Sequence, residues 1–196
     1  QNRELEIERS IEKVRTAVAG MESSADIVGI NEQVKVELVS LGVPCDDVGI
    51  NRYNPDNRTI QFPDTAPLPV EKMQRFGKWE SRWKQRDTYV RRTTAEQDAA
   101  DIAEAVETGL LSPEKASEIA EGEEKLDRWI VDAFFDRGSL AMNKAGEKAF
   151  SDDDVHLLER FTEVFALGYK RHLELKAAED RARQAELDLG VERVRA

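Results

Sequence analysis

The chain has 196 residues, 40% of them hydrophobic, and a net charge of −11. That length supports one core of ordinary size with an appended segment, and the acidic balance argues against nucleic acid or an anionic membrane surface as the main partner. No apolar run approaches the roughly 20 residues that cross a bilayer, so no direct membrane insertion is expected.

The single Cys45 rules out an intramolecular disulfide and fits a reducing, cytoplasmic setting. No signal peptide is expected, and with Gln1 in the first position the chain is expected to be a segment of something longer.

Taken in order, Ile7, Ile11, Val14, Val18 and Met21 repeat at alternating steps of four and three, which is a heptad seam on an otherwise charged helix. Ser23-Ser24-Ala25-Asp26 interrupts it. A second helix, from Ile27 to Leu41, presents Ile30, Val34, Leu38 and Leu41 and is stopped by Gly42 and Pro44. From Asp46 to Phe62 the pattern is a hairpin: alternation over Val48–Tyr53, a turn at Asn54-Pro55-Asp56-Asn57, and an answering strand at Thr59–Phe62. A proline-rich loop follows. Val70, Met73, Phe76, Trp79, Glu80 and Trp83 then predict an amphipathic helix ending near Gln85, and Thr88-Tyr89-Val90 a strand.

The charge is concentrated. Ala95 to Asp127 holds eleven Asp and Glu against Lys115 and Lys125, a local balance of −9, so the rest is nearly neutral. This segment reads as a helical hairpin split by Gly109 and Ser112-Pro113, with Ala99, Ile102, Ala103 and Val106 as its first apolar face and Ala116, Ile119, Ala120 and Leu126 as its second. Trp129–Phe135 is expected as a buried strand and Gly138–Met142 as another, ended by a turn at Asn143–Gly146. Ser151 is placed to cap a long helix whose first turn carries Asp152, Asp153 and Asp154. Val155, Leu158, Phe161 and Phe165 give that helix its inner stripe, and Leu175, Ala178, Ala182, Ala185 and Leu189 continue it as a weaker seam. Val191–Ala196 echoes Ile11–Thr16, as if a second copy of the entry helix were beginning.

This order of helix, hairpin, interposed helices, two strands and exit helix is similar to the GAF family of small-molecule sensor domains. Gly138 to Glu163 looks like the family's final strand and C-terminal helix. Its cyclic-nucleotide-binding branch carries Asn-Lys, a spacer, Phe, three residues and Asp-Glu. Asn143, Lys144, Phe150 and Asp154 match at that spacing, while Val155 stands where the Glu would be. The flanking helices look like those of bacterial signalling proteins whose GAF units feed kinases or cyclases. The acidic hairpin has no counterpart in the resemblance.

What the resemblance implies is an α+β, GAF/PAS-like antiparallel sheet of about five to six strands, with long terminal helices on one face and a helical-hairpin insertion. The implied organisation is a signalling or coiled-coil helix over residues 1–22, a sensor domain over 23–172 with the insertion at 93–128, and a linker helix over 173–196. The implied function is sensing of an unknown small molecule, with relay through the terminal helices of a homodimer to an output domain. A GAF fold without a ligand, acting as a dimerisation spacer, is the alternative.

Trp79, Trp83, Tyr89, Phe134 and Met142 are the candidate ligand-binding residues, with ordinary core packing as the plainer reading. Asn143, Lys144, Phe150 and Asp154 are a structural motif, with Phe150 plugging the core and Lys144 pairing with Asp154, or else ligand contacts. The ligand is unknown; a cyclic nucleotide or another small molecule fits, and no covalent chromophore is expected at Cys45. His156 and His172 are sixteen residues apart on one helix, so no metal site is expected. Without a phosphate loop, nucleophile elbow or metal-ligand cluster, catalysis is not expected either.

Overall fold

The computed structural model describes residues 2–63, 65–122 and 127–195, the side chains of 120–122 and 191–195 excepted. Six antiparallel strands form one sheet: β1 (Asp47–Asn54), β2 (Thr59–Gln61), β3 (Leu68–Pro69), β4 (Tyr89–Thr93), β5 (Arg128–Phe135) and β6 (Gly138–Ala145), in the spatial order β3-β2-β1-β6-β5-β4. The fold is α+β, as expected.

On one face lie α1 (Asn2–Ala19), α2 (Ile27–Ser40) and α6 (Asp152–Arg195). Ile7, Ile11, Val14, Val18 and Met21 are all buried, so the heptad seam is used inside this chain, against α2 and α6. Two-residue alternation in the strands supplies the rest of that core: Val48, Val131, Ala133, Leu140 and Met142 point to the helices. Register fixes this, because Val48 and Val131 both stand opposite Met142. Gly138 turns β5 into β6 so close to β1 that a Cβ there would sit 1.9 Å from the Asn51 carbonyl oxygen. Only glycine fits.

The other face carries a second, smaller core of Tyr53, Ile60, Val70, Met73, Phe76 and Trp79, covered by α3 (Gln74–Gln85). The expected helix therefore begins later than its apolar period suggests. Val70–Lys72 is a 3-10 turn and Met73 is extended, with φ −139°, so their side chains reach the core from a bent entry.

Two further elements differ from the sequence-based expectation. Strand β6 runs on through Ala145 instead of turning at Asn143, because Asn143 is paired on both sides, with Asp47 and Ile130. Ladder bonds to two neighbours override the local turn preference of Asn and Gly. In the acidic hairpin, α4 (Ala95–Glu107) and α5 (Pro113–Gly122) form as expected, but Ala99 and Ala103 are exposed while Asp101 is buried. The inward face of α4 is mixed: Asp101 meets Arg75, while Ala105 packs against the smaller core. Leu126 lies outside the described residues, as do the side chains of Ala120 and of the echoed stretch Val191–Ala196.

Among the described residues, no helix is long and apolar enough to cross a membrane.

Candidate functional site

Sheet face, α3 and α4 line an open cavity of 380 Å³. Gly49, Asn51, Ile130 and Ala141 contribute from the sheet; Arg75, Phe76, Lys78 and Trp79 from α3; Tyr89, Arg91 and Arg92 from β4; Gln97, Asp98 and Asp101 from α4; Phe62 and Pro63 close the end. The alternation that sends Val131 and Leu140 to the helices sends Asn51, Asp132 and Ser139 to this face. Asn51 stands directly opposite Ser139 across the β1–β6 pair.

Asn51 lines the cavity, and Asp132 and Ser139 lie buried beneath it as a polar floor. Asp132 has no exposed surface and accepts from Asn51 Nδ2 at 2.7 Å, Ser139 Oγ at 2.6 Å and Trp79 Nε1 at 3.2 Å. Its second oxygen takes the Arg91 guanidinium. A buried carboxylate persists only when its charge and lone pairs are matched in this way. The result is a rigid base that orients the Trp79 indole and ties Arg91 to the cavity wall.

Beside the cavity, Glu80 is buried at 4% exposure and receives Tyr53 Oη at 2.5 Å, Arg58 Nε at 2.9 Å and Nη2 at 2.8 Å, and Lys84 Nζ at 3.2 Å. Hydrogen bonds from Arg58 outweigh the cost of burial and hold its carboxyl at about 2. Burial, then the Glu80 contact, pushes the Tyr53 phenol up to about 12. The cluster locks α3 to β1 and to the β1–β2 turn.

Of the five candidate ligand residues, the structure brings two to the cavity. Trp79 and Tyr89 line it. Trp83 is turned aside, packing on Tyr53 with centroids 4.5 Å apart and ring planes tilted by 58°, and donating to the Phe135 carbonyl at 2.8 Å. Phe134 packs edge-on against Trp79 at 5.1 Å and supports the wall from behind. Met142 belongs to the opposite face, fully buried among the helices, because it is one pleat step from Ala141. The sequence reading missed the arginines and the Asn51–Asp132–Ser139 floor. One signal was present: Asp132 interrupts the apolar strand Trp129–Phe135 at a position whose neighbours point the other way.

The motif residues sit away from the cavity, where β6 joins α6. Lys144 donates to the Ala149 carbonyl at 3.0 Å and lies over the Phe150 ring at 4.5 Å. Asp154 does not pair with Lys144 but closes a reciprocal cap, accepting from Ser151 N at 2.9 Å while its own N–H reaches Ser151 Oγ at 3.2 Å. Phe150 is buried in the helix-side core, and Cys45 packs against that core too, where burial pushes its thiol up. His156 meets Glu159, and His172 meets the Ser24 carbonyl. A wider groove of 730 Å³ runs between the β5–β6 turn and α6, past Arg86, Tyr169 and the exposed Leu167 and Leu173.

An antiparallel six-stranded sheet with terminal helices on one face and a helix-covered cavity on the other defines the GAF fold. A solved structure agrees. A GAF domain from a phosphoenolpyruvate-protein phosphotransferase of Coxiella burnetii matches over 94% of this chain and 99% of its own, with 11% identity and a TM-score of 0.50. The phycoerythrobilin-bound GAF domain of a cyanobacterial phytochrome matches over 88% and 98%, with 12% identity and a TM-score of 0.46. A far-red-absorbing dark state with bound biliverdin IXα matches over 83% and 98%, with 12% identity and a TM-score of 0.43. At these identities the likeness is one of fold, carried by the first of the three. No protein-family model matches the sequence, and no curated protein matches it either.

Proposed function

We infer that this chain is a ligand-sensing GAF domain that passes its state through α6 to a downstream output domain in a signalling protein. The observation that carries this is the 380 Å³ cavity between sheet and α3/α4, with a satisfied polar floor and aromatic walls. Convergent polar and charged groups beside aromatic surface are what a small polar ligand needs to be held in one orientation. Asn51 and Ser139 tie the floor to β1 and β6, and β6 leads within a few residues into the Ser151 cap of α6. A ligand that favours one placement of this sheet therefore acts on the start of the exit helix, provided it binds the two placements with different affinity.

The fold and cavity give no reason to assign catalysis, and the terminal helices are read as the dimer contact. A ligand-free spacer is the second reading, favoured by Trp83 and Phe134, which fill space beside the cavity. Thermal-shift screening against nucleotides, metabolites and organic acids separates the two. A saturable rise in Tm that is lost on filling the cavity (Ala141→Phe) supports sensing; no response from any compound class selects the spacer.

A further inference from the structure

The cavity's cations come from two walls. Arg75 and Lys78, one turn apart and so on one side of α3, face Arg91 and Arg92 of β4, and only Asp98 and Asp101 among the lining residues oppose them. Each arginine is already held. Arg75 pairs with Asp101 at 3.0 Å and lies over Phe76 at 5.1 Å and Phe62 at 5.9 Å. Arg91 pairs with Asp132 and lies over Tyr89 at 4.9 Å. Arg92 pairs with Asp127. Lys78 has no hydrogen bond or ion pair among the described residues.

Lys78 is thus the cation of the four that no carboxylate among the described residues pairs, while Asp98 on the facing wall balances the cavity's charge overall. The contribution of Arg75 and Arg91 is different: a guanidinium has five N–H donors in a fixed fork, and each is anchored by a carboxylate and a ring without using all of them. A guanidinium fixed in this way meets a planar carboxylate with little further ordering cost. Phe62, Phe76, Trp79, Tyr89 and Ile130 line the same cavity and give it apolar surface beside the guanidinium groups. A cationic ligand would meet like charge at Lys78, and a neutral one would displace water from the remaining N–H donors without replacing its bonds.

We propose that the ligand is a small aromatic carboxylate, its ring between the aromatic walls and its carboxylate on Arg75, Lys78 and Arg91. This rests on the cavity being a ligand site. Asp101 is the internal competitor: it holds Arg75 now, and an incoming carboxylate shares or takes that guanidinium. Because Asp101 belongs to α4, occupancy loosens the acidic hairpin from α3 at that point.

The test is calorimetric titration of the full chain with benzoate, indole-3-acetate and naphthoate, each beside its primary amide and the corresponding amine. The acids are expected to bind, with amides at least about tenfold weaker, the usual effect of losing a charge-assisted pair. Lys78→Ala and Arg75→Gln, both at exposed side chains that leave the core intact, are each expected to weaken the acids about tenfold, whereas Asp101→Asn tightens them. Amides or amines binding as well as acids would keep the ligand site and overturn the carboxylate. Acids that bind with unchanged affinity to Lys78→Ala and Arg75→Gln would overturn the placement. Silence from all three series would count against the ligand site itself.

Discussion

At Asp132, donors from four different elements meet one carboxylate: Asn51 from β1, Trp79 from α3, Arg91 from β4 and Ser139 from β6. Local sequence shows only the acidic interruption of an apolar strand, because the four donors lie up to 88 residues apart and only the fold brings them together. Asp132→Ala strands several buried donors at once, and the expected cost is roughly 3–5 kcal/mol, that of breaking a buried pair. Chemical denaturation reads it directly; a loss below about 1 kcal/mol, the range of an exposed pair, would mean that water replaces the carboxylate. Glu80 makes a pH-dependent claim. Its carboxyl sits at about 2 in the fold against an ordinary 4.5, so its stabilisation is complete above pH 4.5 and drains away as pH falls toward 2. Allowing for the half-exposed Arg58 partner, the amount is roughly 2 kcal/mol. Urea midpoints measured at pH 6 and pH 3 should fall further for the native chain than for Glu80→Gln, and parallel falls would refute the shifted carboxyl.

The elements were legible where one apolar face decides them and illegible where a polar partner does. The seam Ile7–Met21, the stripe Val155–Phe165 and the Ser151 cap are read from spacing alone, since burial against a sheet demands little beyond apolar residues at the right interval. Helix α4 fails the same reading: Asp101 faces inward because Arg75 waits there, and no periodicity records that. The partner of the heptad seam was also hidden. Steps of four and three fit a second chain as well as the chain's own α6, and what selects α6 is a close approach at Gly168, where a Cβ would lie 2.8 Å from Val18 Cγ2. At the same end, Arg171 donates twice to the Met21 carbonyl, at 3.0 and 2.7 Å. Gly168→Leu should therefore push α1 off α6 and cost roughly 2 kcal/mol or more as overpacking, seen as a lower Tm and loss of the Arg160 contacts to Glu4 and Glu8. An unchanged Tm would mean that the two helices slide apart freely.

For the whole molecule the telling dimension is the length of α6, 44 residues, or roughly 65 Å at the α-helical rise. Contacts with α1 and α2 run beside it, and Glu179 still reaches Ser24 at 2.8 and 2.6 Å. From Lys176 to Gly190 every described side chain is exposed, including Leu187 at 59% and Leu189 at 57%. Beyond the Glu179 contact this stretch of about fifteen residues is solvent-exposed among the described side chains, a helix that long is marginal in water by itself, and its Lys176–Asp180 and Arg183–Asp180 pairs add only tenths of a kcal/mol each. Leu173, fourteen residues before Leu187 and so on the same face of α6, extends this unmatched apolar surface back along the body of the domain. A second copy, pairing along α6, satisfies both at once. Sedimentation equilibrium should accordingly find a dimer at micromolar concentration, and Leu173→Glu combined with Leu187→Glu should give a monomer with reduced ellipticity at the helical minimum. The cavity is remote from these positions, so the monomeric variant should keep its ligand response. A native chain that stays monomeric near 100 μM, with α6 fully helical, would show that the helix needs no partner; it would then act as a strut, and relay would have to be sought in the acidic hairpin at the cavity's other wall.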